Sequence, residues 1–317
     1  MGITQTQSRN AVSPPGSFSW NLVKDVQELF SYPFMVHALA AGTIVAVLAA
    51  IIGWFMVLRH QSFAGHTLAL VGFPGAAGAA LLGLSASYGY FGGAILAALA
   101  IALLPGSGGR RRGEESAVTG TVQAFVLACG FLFVALYPGF LSGLNALLFG
   151  SFLGISLTQV FVLLGAAALV LVLLAFLGRP LFFASVDPQA AEARGVPVRL
   201  LSAGFLLLLG VAVAEVSQIT GALLVFALLV MPAAAAQRLA VRPVLSVCLA
   251  VVIGIVVTWL ALGVAFYTPY PVGFFVTTFA FVIYLLAVLY SVLAARLVRD
   301  SESGVSAEVG VPSRRGA

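Results

Sequence analysis

Apolar runs long enough to cross a bilayer as helix recur along the whole chain, and this one feature decides the fold class. A helix rises about 1.5 Å per residue, so about 20 apolar residues cover a hydrocarbon core of about 30 Å. Nine such spans are read at residues 33–58, 66–84, 88–104, 118–137, 156–178, 199–215, 219–237, 243–266 and 272–296, with eight as the fallback count. Charged residues make up only 8% of the 317 positions, against about a quarter in a soluble domain, which excludes a water-soluble globule. In lipid, backbone amides must be satisfied within the spanning segment, so apolar spans of this length fold as helices. The expectation is an all-α, polytopic helical membrane protein.

The basic residues set the topology. With nine spans starting outside, Arg59, Arg110–Arg112, Arg179, Arg194, Arg199, Arg238, Arg242, Arg296, Arg299, Arg314 and Arg315 all fall on one side. The alternate loops, at 85–87, 138–155, 216–218 and 267–271, carry no basic residue. The positive-inside rule then puts the N-terminus outside and the C-terminus in the cytoplasm, whereas an even number of spans would scatter the arginines. Residues 1–32 lack the continuous apolar core of a secretory signal and are expected to form an extracytoplasmic tail. Within it Phe18, Leu22, Val26 and Leu29 recur at helical spacing opposite Asn21, Lys24, Asp25 and Glu28, the pattern of an amphipathic interfacial helix. Residues 33–297 form the transmembrane domain, and the polar tail 298–317 is expected to be disordered. The basic connector GSGGRRR, within 105–113, suits contact with anionic lipid.

Several chemistries are excluded. The single lysine, Lys24, follows Val23 in a glycine-free stretch, so there is no P-loop lysine to reach nucleotide phosphates. Cys129 and Cys248 each lie alone in an apolar run and read as small buried hydrophobes. The spans lack the His-Glu-x-x-His and Gly-x-Ser-x-Gly patterns of membrane enzymes, so no catalytic residue and no resident cofactor are assigned, and no nucleic-acid partner is expected. Glu215 is the one acidic residue near a span and is expected to snorkel at the outer interface, with a role in the translocation path as the alternative. Without ionisable groups inside the membrane, energy for active transport has to come from a cytoplasmic partner.

Two features interrupt the hydrophobic monotony. Gly72, Pro74, Gly75 and Gly78 fall in the second span and Pro232 in the seventh, and a helix broken there would line a cavity and gate it. Small residues at four-residue spacing, at Gly75, Ala79 and Gly83, at Gly89 and Gly93, and at Gly150 and Gly154, allow close helix approach. Residues 186–199 read VDPQAAEARGVPVR: Asp187 can cap a helix, Pro188 sits at its first position, and Gly195 stops it before Pro197. A short rigid helix of this kind, lying on the cytoplasmic surface, suits a contact through which a partner moves the adjoining spans.

Three blocks in order resemble the permease subunits of ABC importers for zinc, manganese and iron. The first is GWFMVLRHQSFAG at 53–65 with FPG at 73–75, similar to the family's Val-Leu-Arg-Arg, Ser-Phe-x-Gly and Leu-Pro-Gly. The second is the segment 187–197, and the third is GALLVFALLVMPAAAA at 221–236. The resemblance covers roughly residues 34–296. It implies a homodimer of permeases forming the path, ABC ATPase subunits docking at Asp187, Pro188, Ala191 and Gly195, and an extracytoplasmic metal-binding protein delivering zinc or manganese. Where the family shows Asp and, four residues on, His, a pair sharing one helix face, this chain has His66 and Leu70. His66 therefore remains as one candidate cation contact. Loss of the pair leaves room for a chelate or small organic cargo, and a non-transporting scaffold is the rival from another class.

Overall fold

A computed structural model of the chain describes residues 21–104, 112–137, 154–221 and 225–308. Phe18, Trp20, Arg110, Arg111, the loop at 105–111, Gly150 and the tail 309–317 lie outside them. The described residues are helical apart from short connections: α1 (Leu22–Ser31), α2 (Pro33–Leu58), α3 (Ser62–Leu81), α4 (Ala86–Leu103), α5 (Arg112–Leu136), α6 (Leu157–Val186), α7 (Pro188–Ala193), α8 (Val198–Thr220), α9 (Val225–Leu239), α10 (Pro243–Phe266) and α11 (Val272–Glu308). Eight of these are long and apolar enough to cross a membrane. At the seventh expected span, 219–237, lie the end of α8 and then α9, whose 15 residues rise about 22 Å.

The boundaries of α2 and α10 fall where the sequence puts them. In both a proline occupies the first turn, where its missing amide costs no hydrogen bond. α11 runs past Arg296 to Glu308, so residues 298–308 extend the last helix rather than being unstructured. Propagating an existing helix adds one bond per ordered residue without a new nucleation cost.

In α2, α3 and α8, 61%, 67% and 67% of the apolar stretch is buried, against 17% in α5 and 22% in α11. The first three therefore form the centre of the bundle, and the latter two turn most of their surface outward. α10 runs antiparallel to α2: Trp54, near the end of α2, donates from Nε1 to Ser246 Oγ at 2.9 Å near the start of α10, and Phe266 at its end packs on Tyr32. Trp259 to Thr43 (2.8 Å) and Thr67 to Gln123 (2.8 Å) add hydrogen bonds between helices, the kind that fixes register where all surrounding surface is equally apolar.

The expected break in the second span is absent, because α3 stays helical through Gly72, Pro74, Gly75 and Gly78. Pro74 packs its ring against Gly130 of α5, and the glycines serve contact with α4. A Cβ added at Gly75 would lie 2.2 Å from the Gly89 carbonyl oxygen, and one at Gly89 2.2 Å from that of Gly75, so the two backbones touch as only glycine permits. α9 likewise continues through Pro232. α1 forms as expected but with a different face inward. Asp25 is buried and its carbonyl accepts from the Tyr267 hydroxyl at 2.9 Å, while Val23, Val26 and Phe30 are exposed.

Candidate functional site: the α7 helix and the ends of α2, α6 and α8

α7 is assembled by local chemistry. Asp187 accepts from the Ala190 amide at 2.9 Å, and Pro188 occupies the first turn. At the other end Gly195 takes φ +78°, its amide donates to Glu192 O at 3.0 Å, and the Val196 amide donates to Ala191 O at 3.0 Å. This pair of bonds closes the helix and needs a left-handed residue at Gly195. Pro188, Gln189, Glu192 and Arg194 are exposed. Ala191 is fully buried, so its expected docking role is corrected: it seats α7 on the bundle and presents nothing to a partner. Arg194 reaches back over the Phe183 ring at 5.4 Å.

Beneath α7 lies a residue read in the sequence only as a topology marker. Arg59, capping α2, donates from Nη1 to Ser185 Oγ at 3.0 Å and from Nη2 to Ser202 Oγ at 2.5 Å. Its Nε donates to Gln61 Oε1 at 3.2 Å, and its guanidinium lies 5.4 Å from the centre of the Phe205 ring. Ser185 ends α6 and Ser202 begins α8, so the two helices flanking α7 are joined to each other and to the α2–α3 corner. That corner turns tightly at His60, which takes φ +58°. Hydrogen bonds to a charged group contribute about 1.5–3 kcal/mol each, enough to make these four helix ends move together. The signal for this role lay in the polar spacing Arg59, Ser185 and Ser202, but nothing in the linear chain brings the three together.

His66 sits in the second turn of α3, edge-on to Phe226 of α9 with ring centres 5.0 Å apart. Its Nδ1 is enclosed and has no hydrogen-bond partner. Leu70 follows one turn later. Among the described residues no three His, Cys, Asp or Glu side chains come together to hold a metal ion, at His66 or elsewhere.

Glu215 departs most from expectation. It is not at the interface but completely buried on α8, and among the described residues neither carboxyl oxygen has a hydrogen-bond partner of good geometry. It lines a cavity of about 370 Å³ bounded by the starts of α4 and α6 and the end of α8. α7 connects the opposite ends of α6 and α8, so the cavity and α7 lie at opposite ends of the bundle.

Residues 31–291 match the ABC 3 transport family. The chain is 32% identical over 238 residues to the manganese transport system membrane protein MntC of Halalkalibacterium halodurans, covering 74% of this chain and 80% of that protein. It is 31% identical over 207 residues to the chelated iron transport system membrane protein YfeD of Yersinia pestis, covering 65% and 68%. Among solved structures it is similar to PsaBC from Streptococcus pneumoniae, determined in complex with Fab, with a TM-score of 0.73 and 25% identity, covering 84% of this chain and 95% of that one.

Proposed function

The chain belongs to the ABC 3 transport family as a multi-span inner-membrane permease of metal transport, and from that premise we propose that it is the moving transmembrane half of an ATP-driven importer for a divalent metal ion. Manganese is the first cargo, in keeping with the relative named for it, and zinc the second. Two copies form the path, an extracytoplasmic metal-binding protein delivers the ion, and separate ATPase subunits push on α7 from the cytoplasm. The chain itself carries out no covalent chemistry.

The single observation that carries this reading is the join between α7 and the core. α7 is capped at both ends, exposed on its outer side, and fixed through Arg59 to α2, α6 and α8. A push on α7 is therefore delivered to the centre of the bundle rather than lost in a loop. Pro74 on α3 and Pro232 on α9 each leave one helix hydrogen bond unmade within an unbroken helix, and there the bundle yields as the path opens and closes.

Nine crossings with the N-terminus outside fit the same reading. α8 rises from Ser202 beside Arg59 to the far-end cavity, and α10 starts again beside Trp54, so 221–239 returns the chain with α9 as its helical part. Arg59, Arg194, Arg199, Arg238 and Arg242 then share the α7 end, which the positive-inside rule assigns to the cytoplasm. A second reading, a metal chelate as cargo, draws on the lone His66 and on the relative named for chelated iron.

The deciding experiment reconstitutes the chain with its ATPase and binding protein in vesicles and measures ATP-dependent accumulation of manganese, zinc, iron and an iron chelate. Uptake of a free cation supports the first reading and uptake of the chelate alone the second. No ATP-dependent uptake of any of them defeats both.

A further inference from the structure

Glu215 has no place in the motion just described, and a carboxyl group enclosed in a membrane bundle is costly to keep without a function. Three observations converge on it. The first is its isolation: it is fully buried, and both oxygens lack a hydrogen-bond partner of good geometry. The second is Ser217, two residues on in α8 and also among the residues lining the cavity, whose hydroxyl is likewise buried without a partner. The third is the cavity that both line, where Ser87, Thr158 and Gln218 add neutral oxygen atoms. No Lys, Arg or His is among its lining residues, so no cation of the described chain neutralises the carboxylate.

A carboxyl group in a cavity of about 370 Å³, lined by hydroxyl and amide side chains among apolar ones, offers the oxygen donors that a hard divalent cation takes. The volume also accommodates a partly hydrated ion, because each water takes about 30 Å³. Soft metals favour thiolate and imidazole, and the cavity offers neither. Its position adds direction: it lies at the end of the bundle away from α7, where an ion delivered from outside would arrive.

Resting on the reading of the chain as a divalent-cation importer, we propose that the Glu215 cavity is an entry-side cation subsite, with Glu215 as the charged ligand and Ser217 and Gln218 among its neutral oxygen ligands. It is separate from His66, which faces α9 near the start of α3. The oxygen-only set makes manganese a better-matched cargo than zinc.

The test is manganese binding to the purified full chain in nanodiscs at fixed neutral pH, followed by the loss of the free-ion EPR signal. Glu215→Gln keeps the shape and removes the charge, and it is expected to weaken binding by about tenfold or more, since ligand charge sets the affinity of oxygen sites. Cys248→Ser, on α10 and not among the residues lining the cavity, is expected to leave this binding within about twofold. If Glu215→Gln is not recovered folded, Ser217→Ala and Gln218→Ala take its place, each expected to lessen the rise in melting temperature that manganese gives the wild-type chain. Unchanged binding in Glu215→Gln, an unchanged thermal shift in both replacements, or no manganese binding by the wild type overturns the subsite. None of these decides whether the chain is an importer, which the vesicle uptake measurement settles separately.

Discussion

Arg59 holds Ser202 at 2.5 Å across 143 positions of sequence, and the same guanidinium holds Ser185 at 3.0 Å, so one side chain fastens both helices from which α7 hangs. In the proposed importer this makes Arg59 a positioning residue for coupling.

Arg59→Ala is expected to lower ATP-driven uptake by about tenfold or more, because a lost coupling energy of 1.4 kcal/mol or more is a factor of ten. The ATPase should still copurify, since the face of α7 is untouched. Arg59→Lys should rescue little, because an ammonium cannot span two hydroxyls as the planar fork does. Normal uptake by Arg59→Ala in the vesicle assay would show that the clamp is only structural.

The two ends of α7 make a separate prediction. Asp187→Ala removes the cap and is expected to cost about 1 kcal/mol locally. Gly195→Val forces a branched side chain into φ +78° and is expected to cost about 1–2 kcal/mol. Both should speed hydrogen exchange at 189–193 and weaken ATPase association while membrane insertion is retained. Unchanged association removes the docking assignment.

Gly89→Val tests the α3–α4 contact. The added Cβ would meet the Gly75 carbonyl at 2.2 Å, and a clash with backbone is relieved only by parting the helices. A loss of about 2–3 kcal/mol is expected, read as a lower melting temperature in detergent. Gly92→Val, one turn-edge away with open space at its Cβ, serves as the control that should melt near wild type.

Sidedness is tested with single cysteines introduced after replacing Cys129 and Cys248. Arg194→Cys and Arg242→Cys are expected to react with an impermeant thiol reagent from the cytoplasmic side only. Tyr270→Cys, in the exposed turn between α10 and α11, should react from outside only. Arg194 and Tyr270 reacting from the same side would refute the odd number of crossings.

Much of the architecture was legible in the linear chain. Hydropathy placed α2 and α10 at 33–58 and 243–266, and Asp187, Pro188 and Gly195 gave α7 both caps, since each of these three acts on backbone within four residues. Glu215 was misjudged for the opposite reason. Its depth depends on α4 and α6, which are remote in sequence, and an apolar pattern around a carboxylate does not say whether lipid headgroups or other helices will enclose it.

The sequence by itself determined that this protein is a helical membrane bundle and where a short capped helix interrupts it. These follow from the cost of unpaired backbone in lipid and from bonds between near neighbours. Only the tertiary structure decided that Gly75 and Gly89 bring two helices into backbone contact instead of breaking one, that Arg59 joins three helices under α7, and that Glu215 and Ser217 face a shared cavity. In lipid all apolar helix faces are nearly equivalent, so the choice of neighbour is made by shape and by a few polar atoms, and those meet only when the whole chain is packed.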